Sequence, residues 1–187
     1  MPQAPGPLRG HTLPELLAVL AIVAVLAAAG TPPLARLLQA LDHDADVQAL
    51  VLALALARRT AVLERSEVTV CPARPRGEAV GPGMHPCGRD WNDGVLVLGT
   101  DHAVRWHAPR PRGGASVRWR GFGSPTRLRW TPLGILRRQA GYFHLCGRAP
   151  GPEARIVLSA VGRVRVERRH PGGPPLQDGR GRALTCS

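Results

Sequence analysis

The feature that most constrains this chain is an uninterrupted apolar run near its start, from Leu16 to Ala29. After His11, only Thr12 and Glu15 interrupt the apolar character of the segment up to Gly30. About 20 residues of α-helix span roughly 30 Å, which is the thickness of the hydrocarbon core of a bilayer. The segment therefore predicts a membrane helix, or else the apolar core of a cleaved secretion signal.

Glu15 favours a third interpretation, in which the chain is cut just before this segment and the segment stays on the mature protein. A carboxylate costs about 2.5–3.5 kcal/mol if it lies deep in a bilayer, so Glu15 needs a cationic partner. Cleavage between Gly10 and His11 would create an α-amino group four residues before Glu15, on the same or a neighbouring chain. The positive-inside rule keeps Arg9 in the cytoplasm and sends the chain after the helix outside.

Residues 10–17, Gly-His-Thr-Leu-Pro-Glu-Leu-Leu, closely resemble the type IV prepilin signature. In that family a prepilin peptidase cuts after the glycine, the new N-terminus is methylated, and the apolar helix stays on the mature protein. The resemblance implies processing at Gly10 and His11, and a role for Glu15 in setting subunit register during assembly. His11 stands where the family usually has phenylalanine. An ordinary signal peptide and an unprocessed anchor are the alternatives.

The chain as a whole is strongly basic, with a formal charge of +12 and a pI near 11.5. Such a charge suggests an anionic partner. All 25 basic residues are arginine, a bias that coding composition alone can also produce. The positions of particular arginines are therefore more informative than their number.

The chain has four cysteines, at positions 71, 87, 146 and 186. Their spacing contains no short C-x-x-C pair, and the predicted compartment, outside the inner membrane, lets disulfides persist. Of the three possible connectivities, we favour Cys71 with Cys87, and Cys146 with Cys186. The second bond would hold the C-terminal tail against a strand.

A second helical pattern follows the apolar run, from Ala35 to about Glu67, with a kink or short break expected at Thr31-Pro32-Pro33. Eight short β-type runs come after it, several of them alternating apolar and polar residues. They cover residues 68–71, 94–98, 103–106, 116–120, 127–130, 142–146, 155–159 and 163–167. Together these patterns predict an α+β fold in which a long N-terminal helix packs on an antiparallel β-sheet head.

Within the pilins, the order of motifs is similar to the GspH/FimT type. The matching pieces are Cys71, Trp91-Asn92-Asp93-Gly94, Phe143-His144-Leu145-Cys146 and the strand pair from Ile156 to Arg165. The resemblance implies a type IV pilin-like plan with five parts. They are a cleaved leader (1–10), a transmembrane and assembly helix (11–30), its amphipathic continuation (31–67), a β-rich head (68–170) and a C-terminal tail (171–187).

The motif Gly162-Arg163-Val164-Arg165 resembles the DNA-contacting motif of FimT-like pilins. On a strand, Arg163 and Arg165 project to one face about 7 Å apart, where each guanidinium can fork onto phosphate oxygens. Arg168 and Arg169 extend this stripe, and Arg155 is expected on the facing strand. The alternative is a solvated basic edge strand, which discourages edge pairing.

Other candidate residues predict ordinary structural roles. Trp106, Trp119 and Trp130 alternate with arginines, which favours core positions over base stacking. The acidic run Asp42–Asp46 points in several directions on a helix, so no metal is predicted there. The chain carries no recognisable catalytic or phosphate-loop motif, so we predict neither an enzyme nor a cofactor.

The sequence thus predicts a minor pilin of the inner membrane, with its head in the periplasm, that assembles with other pilins into a filament. Its further predicted partners are the prepilin peptidase and DNA, which it would bind without sequence preference during natural transformation. The alternatives are an H-type pseudopilin of a type II secretion system and a pilus-priming minor pilin without DNA binding.

Overall fold

The computed structural model describes residues 12–75, 86–112, 115–148, 151–169 and 173–186. The two predicted processing residues, Gly10 and His11, lie outside these ranges. The chain divides into two compact units, Met1–Leu38 and Gln39–Ser187.

The N-terminal unit consists, in its described part, of the first half of helix α1, which runs from Leu13 to Leu63. Its large apolar side chains are exposed, among them Leu16, Leu20 and Ile22. The helix continues through residues 31–33, so of the expected kink or short break, the break does not occur. Two prolines remove only two backbone donors from a helix 51 residues long that is rich in strong helix formers. Within the described ranges, no helix reaches the combination of length and apolarity that crossing a membrane requires.

The end of α1 lies four residues before the predicted boundary at residue 67. Arg65 adopts a left-handed conformation with φ of 48°. The N–H of Ser66 donates to the carbonyl of Ala61 at 3.2 Å, which closes the last helical turn. The chain then enters the first strand directly.

The second unit contains eight strands among its described residues, and all eight predicted runs are confirmed. They are β1 (Val68–Pro72), β2 (Val95–Leu98), β3 (Val104–Ala108), β4 (Ser116–Phe122), β5 (Leu128–Trp130), β6 (Ala140–Cys146), β7 (Glu153–Leu158) and β8 (Val164–Arg168). A short 3-10 helix, Trp91–Asp93, precedes β2. Every strand pairing is antiparallel. The strands form two four-stranded sheets, ordered β3-β2-β1-β5 and β4-β6-β7-β8.

One hydrophobic core joins the second half of α1 to both sheets. The buried helix positions recur at intervals of three and four residues, as a single helix face requires: Val47, Leu50, Leu54, Ala57 and Ala61. The first sheet contributes Val70, Val97, Leu128 and Trp130 to the same cluster, and the second contributes Phe143, Leu145, Ile156 and Leu158. The predicted α+β architecture, with a long helix on antiparallel sheets, is confirmed.

The tryptophans belong to this core. Trp130 is fully buried, while Trp106 and Trp119 are partly buried and pack against the same cluster. Their alternation with arginines therefore records the two faces of a strand. Base stacking is not needed to explain them.

Two disulfides staple the second unit, Cys71–Cys87 and Cys146–Cys186, which is the pairing that the sequence favours. They close loops with sequence separations of 16 and 40 residues. In the chain-entropy model such loops contribute roughly 3 and 4 kcal/mol. The second disulfide ties the C-terminal segment to the end of β6.

The described part of that segment, residues 173–186, contains a short regular element. Gln177 pairs with Ala183 in an antiparallel bridge, and the N–H of Leu184 donates to the carbonyl of Leu176 at 2.7 Å. The carboxylate of Asp178 accepts the backbone N–H groups of Arg180 and Arg182 at 2.8 and 2.9 Å. These bonds make residues 176–184 a small hairpin, which we call the C-terminal hairpin.

Candidate functional site

The Gly-Arg-x-Arg motif lies on the tight turn that joins β7 to β8. The N–H of Gly162 donates to the carbonyl of Ser159 at 2.9 Å, and the N–H of Ser159 donates to the carbonyl of Arg163 at 3.0 Å. Gly162 has φ of 77°, which suits a three-residue hairpin loop closed by a left-handed residue. The turn therefore requires the glycine, and Arg163 is the next residue in the chain.

Contacts from two other elements hold this turn in place. On α1, Arg58 donates from Nη1 to the carbonyl of Gly162 at 3.2 Å. The N–H of Leu136, in the segment before β6, donates to the carbonyl of Ala160 at 2.9 Å. The backbone that carries the Arg163 side chain is therefore held in place.

Strand alternation aims Arg165 of β8 away from the core, whereas Arg168 has the parity of the inward-facing valines and reaches α1. Val164 and Val166 are partly buried against the core cluster, so Arg165 and Glu167 face the other way. Arg163, one residue before the strand, has the same parity and is exposed. β8 is an edge strand of its sheet, so this face borders solvent.

Carboxylates engage four of the five predicted DNA-binding arginines. Glu167 lies between two of them: its Oε1 is 2.6 Å from Arg165 Nη2, and its Oε2 accepts from Arg155 Nε at 2.7 Å. The guanidinium of Arg168 reaches Asp44 on α1 at 3.1 Å. Arg169 Nη1 lies 3.6 Å from Glu153 Oε2, a buried carboxylate that is also 2.6 Å from His144 Nε2.

The guanidinium of Arg163 has no carboxylate partner among the residues that the structure describes. Arg165 is paired but two-thirds exposed, with 66% of its side chain accessible. Arg155, by contrast, is mostly buried and lies 5.6 Å from the ring centroid of Tyr142. The stripe therefore separates into an accessible pair, Arg163 and Arg165, and arginines that hold the sheet and α1 together.

Sequence reasoning missed a second group of arginines on the same face. In the strand registers, Arg120 of β4 lies opposite Tyr142, Tyr142 opposite Val157, and Val157 opposite Arg165. Directly opposed residues share a face of an antiparallel sheet, so exposed arginines border both edges of this one. Alternation within β4 shows that Arg118 and Arg120 share a face, but only the strand order shows that this face also carries Arg165.

Two clusters of metal-ligating residue types have structural explanations. His144, Cys146 and Cys186 lie close together, but the two sulfurs are bonded to each other. In the acidic run, Asp44 pairs with Arg168, and Asp46 accepts the N–H of Arg112 at 3.1 Å. Burial raises the pKa of Asp46, with smaller opposing effects from Arg112. These contacts direct the two carboxylates to different partners.

His43, within the acidic run, is a buried polar residue whose burial sequence reasoning did not predict. Only 4% of it is exposed, and neither ring nitrogen has a hydrogen-bond partner in the described part of the chain. Burial is the main cause that lowers the pKa of His43; Arg168 adds to this, while Asp44 opposes it. The folded state therefore holds His43 neutral.

Acidification is expected to destabilise the protein through this residue. Between the lowered pKa of folded His43 and its ordinary value of 6.5, the unfolded chain binds a proton that the folded chain does not. The effect of His43 on the free energy of unfolding is therefore absent above pH 6.5. Below that pH, His43 lowers the free energy of unfolding by up to about 1.4 kcal/mol per pH unit. Urea unfolding at pH 7.5, 6.5 and 5.5 measures the loss. The His43→Met variant should show a flatter profile, and equal slopes in both proteins would contradict the assignment.

Comparison with known proteins adds a family match. The family model described as type II transport protein GspH matches residues 46–162. No curated protein matches the chain. Similar solved structures include the type IV minor pilin FimU of Pseudomonas aeruginosa (strain PAO1), at 19% identity and a TM-score of 0.48, covering 71% of this chain and 92% of FimU. Another is the minor pseudopilin EpsH of the Type 2 Secretion System of Vibrio cholerae, at 14% identity and a TM-score of 0.44, covering 66% of this chain and 95% of EpsH.

Proposed function

The chain belongs to the GspH family of type II transport proteins, and we propose that it is a minor filament subunit that also binds DNA. The filament is a type IV pilus, and the DNA is bound without sequence preference during uptake for natural transformation. The neighbouring subunits are other pilins.

The N-terminal segment supplies the filament part of the proposal. A prepilin peptidase would cut between Gly10 and His11, and methylation would follow at the new N-terminus. Support comes from the prepilin-like sequence and from the exposed apolar side chains along the first half of α1. Glu15, in the first turn of α1, would meet the α-amino group of a neighbouring subunit. The mature subunit would sit in the inner membrane with its second unit in the periplasm.

The DNA part of the proposal is carried by one observation, the exposed guanidinium of Arg163 on a fixed turn. With Arg165 beside it on the same face, two guanidinium groups can contact successive phosphates of one strand. Such contacts read the backbone and not the bases, so they confer little sequence preference. The proposed DNA-binding residues are Arg163 and Arg165, with Arg155, Arg168 and Arg169 supporting the surface through their ion pairs.

Those same ion pairs favour a second candidate, a purely structural subunit. Glu167, Asp44 and Glu153 offset much of the charge of the arginine stripe. An H-type pseudopilin of a type II secretion system, or a pilus-priming minor pilin, needs no DNA contact. Such a subunit would keep these pairs only to hold α1 and the second sheet together.

DNA affinity measured against salt separates these candidates. We expect the full chain in non-ionic detergent to bind a short duplex in the micromolar range, with affinity falling steeply as salt rises. Removing both contacts in Arg163→Ala/Arg165→Ala should weaken binding by about tenfold or more at low salt, and make the salt slope shallower by about 2.

Arg89→Gln is the matched control for charge. Arg89 is exposed in the loop before the 3-10 helix and has no ion pair in the described part of the chain. Its loss lowers the net charge by one without touching β8. The comparison is with Arg163→Ala alone and Arg165→Ala alone. If Arg89→Gln weakens binding as much as either of them, the affinity reflects general charge. If neither wild type nor variant binds, the structural candidate takes its place.

A further inference from the structure

A polar cleft lies on the outer face of the second sheet, between the strands and the C-terminal hairpin. Its volume is about 340 Å³. The sheet side is lined by Arg118 and Arg120 of β4 and by Tyr142 and His144 of β6, and the hairpin side by Asp178 and residues 182–185. The Cys146–Cys186 disulfide ties the hairpin to the end of β6, so this bond builds the far wall of the cleft.

The charge of the lining is positive. Three arginines face the cleft, against the single carboxylate of Asp178. That carboxylate is already engaged, because it accepts two backbone N–H groups of the hairpin and pairs with Arg182 at 2.8 Å. The same bonds, led by the backbone N–H of Arg182, lower the pKa of Asp178 and keep it ionised. Arg120 is exposed and has no ion pair in the part of the chain that the structure describes.

The polar groups of the cleft suit the oxygens of a phosphate. Planar guanidinium groups fork onto phosphate oxygens, and a phenol oxygen can donate one further hydrogen bond. Tyr142 lies opposite Arg120 in the strand register and lines the cleft, and its ring centroid is 5.6 Å from Arg155, so an aromatic side chain borders the site. Proteins that bind single-stranded nucleic acids combine basic side chains, which contact the backbone, with aromatic rings, on which the bases stack.

We propose that this cleft is a phosphate-binding site that takes a phosphodiester of single-stranded nucleic acid. The inference deepens the proposed function, since it adds a second contact on the sheet face that carries Arg165. The strand registers place β4 and β8 three strand spacings apart, or roughly 14 Å. One strand of nucleic acid crossing the face would meet Arg120 and Tyr142 at one edge, and Arg163 and Arg165 at the other.

Tyr142 makes the site directly observable, because it is the only tyrosine in the chain. Full-length protein with tyrosine labelled at the ring ε positions, in detergent micelles, would give a single tyrosine NMR signal. We expect that signal to shift saturably with inorganic phosphate, and at lower concentration with a ten-residue oligothymidylate. In Arg120→Gln, both dissociation constants for the cleft should rise about tenfold, as loss of a charged hydrogen bond predicts.

The control variant is Arg89→Gln, in which the phosphate titration of Tyr142 should match wild type. Arg120 is exposed, so its variant should fold, and an unchanged tryptophan emission spectrum would verify this. The proposal is overturned if the Tyr142 signal does not move, or if it moves equally in wild type and Arg120→Gln. A shift with phosphate but not with oligothymidylate would overturn the nucleic acid as the ligand.

Together with the DNA affinities, these data distinguish failure of the cleft from failure of the proposed DNA contact at Arg163 and Arg165. DNA binding that depends on Arg163 and Arg165 while Tyr142 stays silent would leave the proposed function standing and remove the cleft. A Tyr142 titration that depends on Arg120, together with DNA affinity indifferent to Arg163, would do the reverse.

Discussion

The Gly162→Ala variant is expected to lose about 2–5 kcal/mol of stability, one of the two largest effects that this structure predicts. Gly162 has φ of 77°, a conformation that costs an L-residue about 1–2 kcal/mol. A Cβ there would also lie 2.5 Å from the carbonyl oxygen of Gly134 and 2.5 Å from the ring of Trp130. Neither neighbour can withdraw easily, since one is backbone and the other is fully buried.

Gly181 offers a matched control for the strain alone. Its φ is 78°, almost the same as that of Gly162, but a Cβ at Gly181 would meet nothing within 4 Å. Gly181→Ala should therefore cost no more than the dihedral strain, about 1–2 kcal/mol. Urea unfolding of both full-length variants, followed by circular dichroism, gives the two losses. Equal losses would show that the contacts with Gly134 and Trp130 are unimportant.

The Phe143→Ala variant is expected to lose about 3–5 kcal/mol. Phe143 is fully buried in the centre of β6, and its ring packs between two tryptophans. The centroid distances are 4.8 Å to Trp91, edge to face, and 4.7 Å to Trp119. Alanine would leave a cavity among rigid rings, and each lost aromatic pair adds about 0.5–1.5 kcal/mol to the cost of lost burial.

Phe143→Leu is the comparison for this second effect. Leucine keeps most of the volume but no ring, so it should cost about 1.5 kcal/mol or somewhat more. Because a small domain has only about 5–15 kcal/mol of stability, the alanine variant should unfold at a clearly lower urea concentration. If alanine and leucine destabilise alike, the cavity around Phe143 closes by relaxation and the ring packing contributes little.

The architecture could be predicted because its signals are local. Helix α1 follows from the apolar run at Leu16–Ala29 and the helical spacing after it, and each strand from a short β-type run. The motifs of the family resemblance lie in the same strand-containing region, from Cys71 to Arg165. The short break that the prolines at positions 32 and 33 allow does not occur, because helix on both sides of them continues the hydrogen-bonded pattern.

The candidate site was only partly predictable, because charge pairing depends on distance in space. The motif at Gly162 and Arg163 was readable, since a tight turn needs its glycine. The sequence could not show that Arg168 pairs with Asp44, which is 124 positions away along the chain. Nor could it show that Glu167 is shared by Arg155 and Arg165, because that depends on the register of β7 with β8.

By itself, the sequence determined the helix, the eight strands and the glycine-closed turn, because periodicity and turn chemistry act between near neighbours. The tertiary structure alone decided which arginines remain accessible, and it brought Arg118 and Arg120 onto the face that carries Arg165. It also folded the C-terminal hairpin over Tyr142 through Cys146–Cys186. The physical reason is that ion pairs and clefts form between side chains that strand order and disulfide bonds bring together, whatever their separation in the chain.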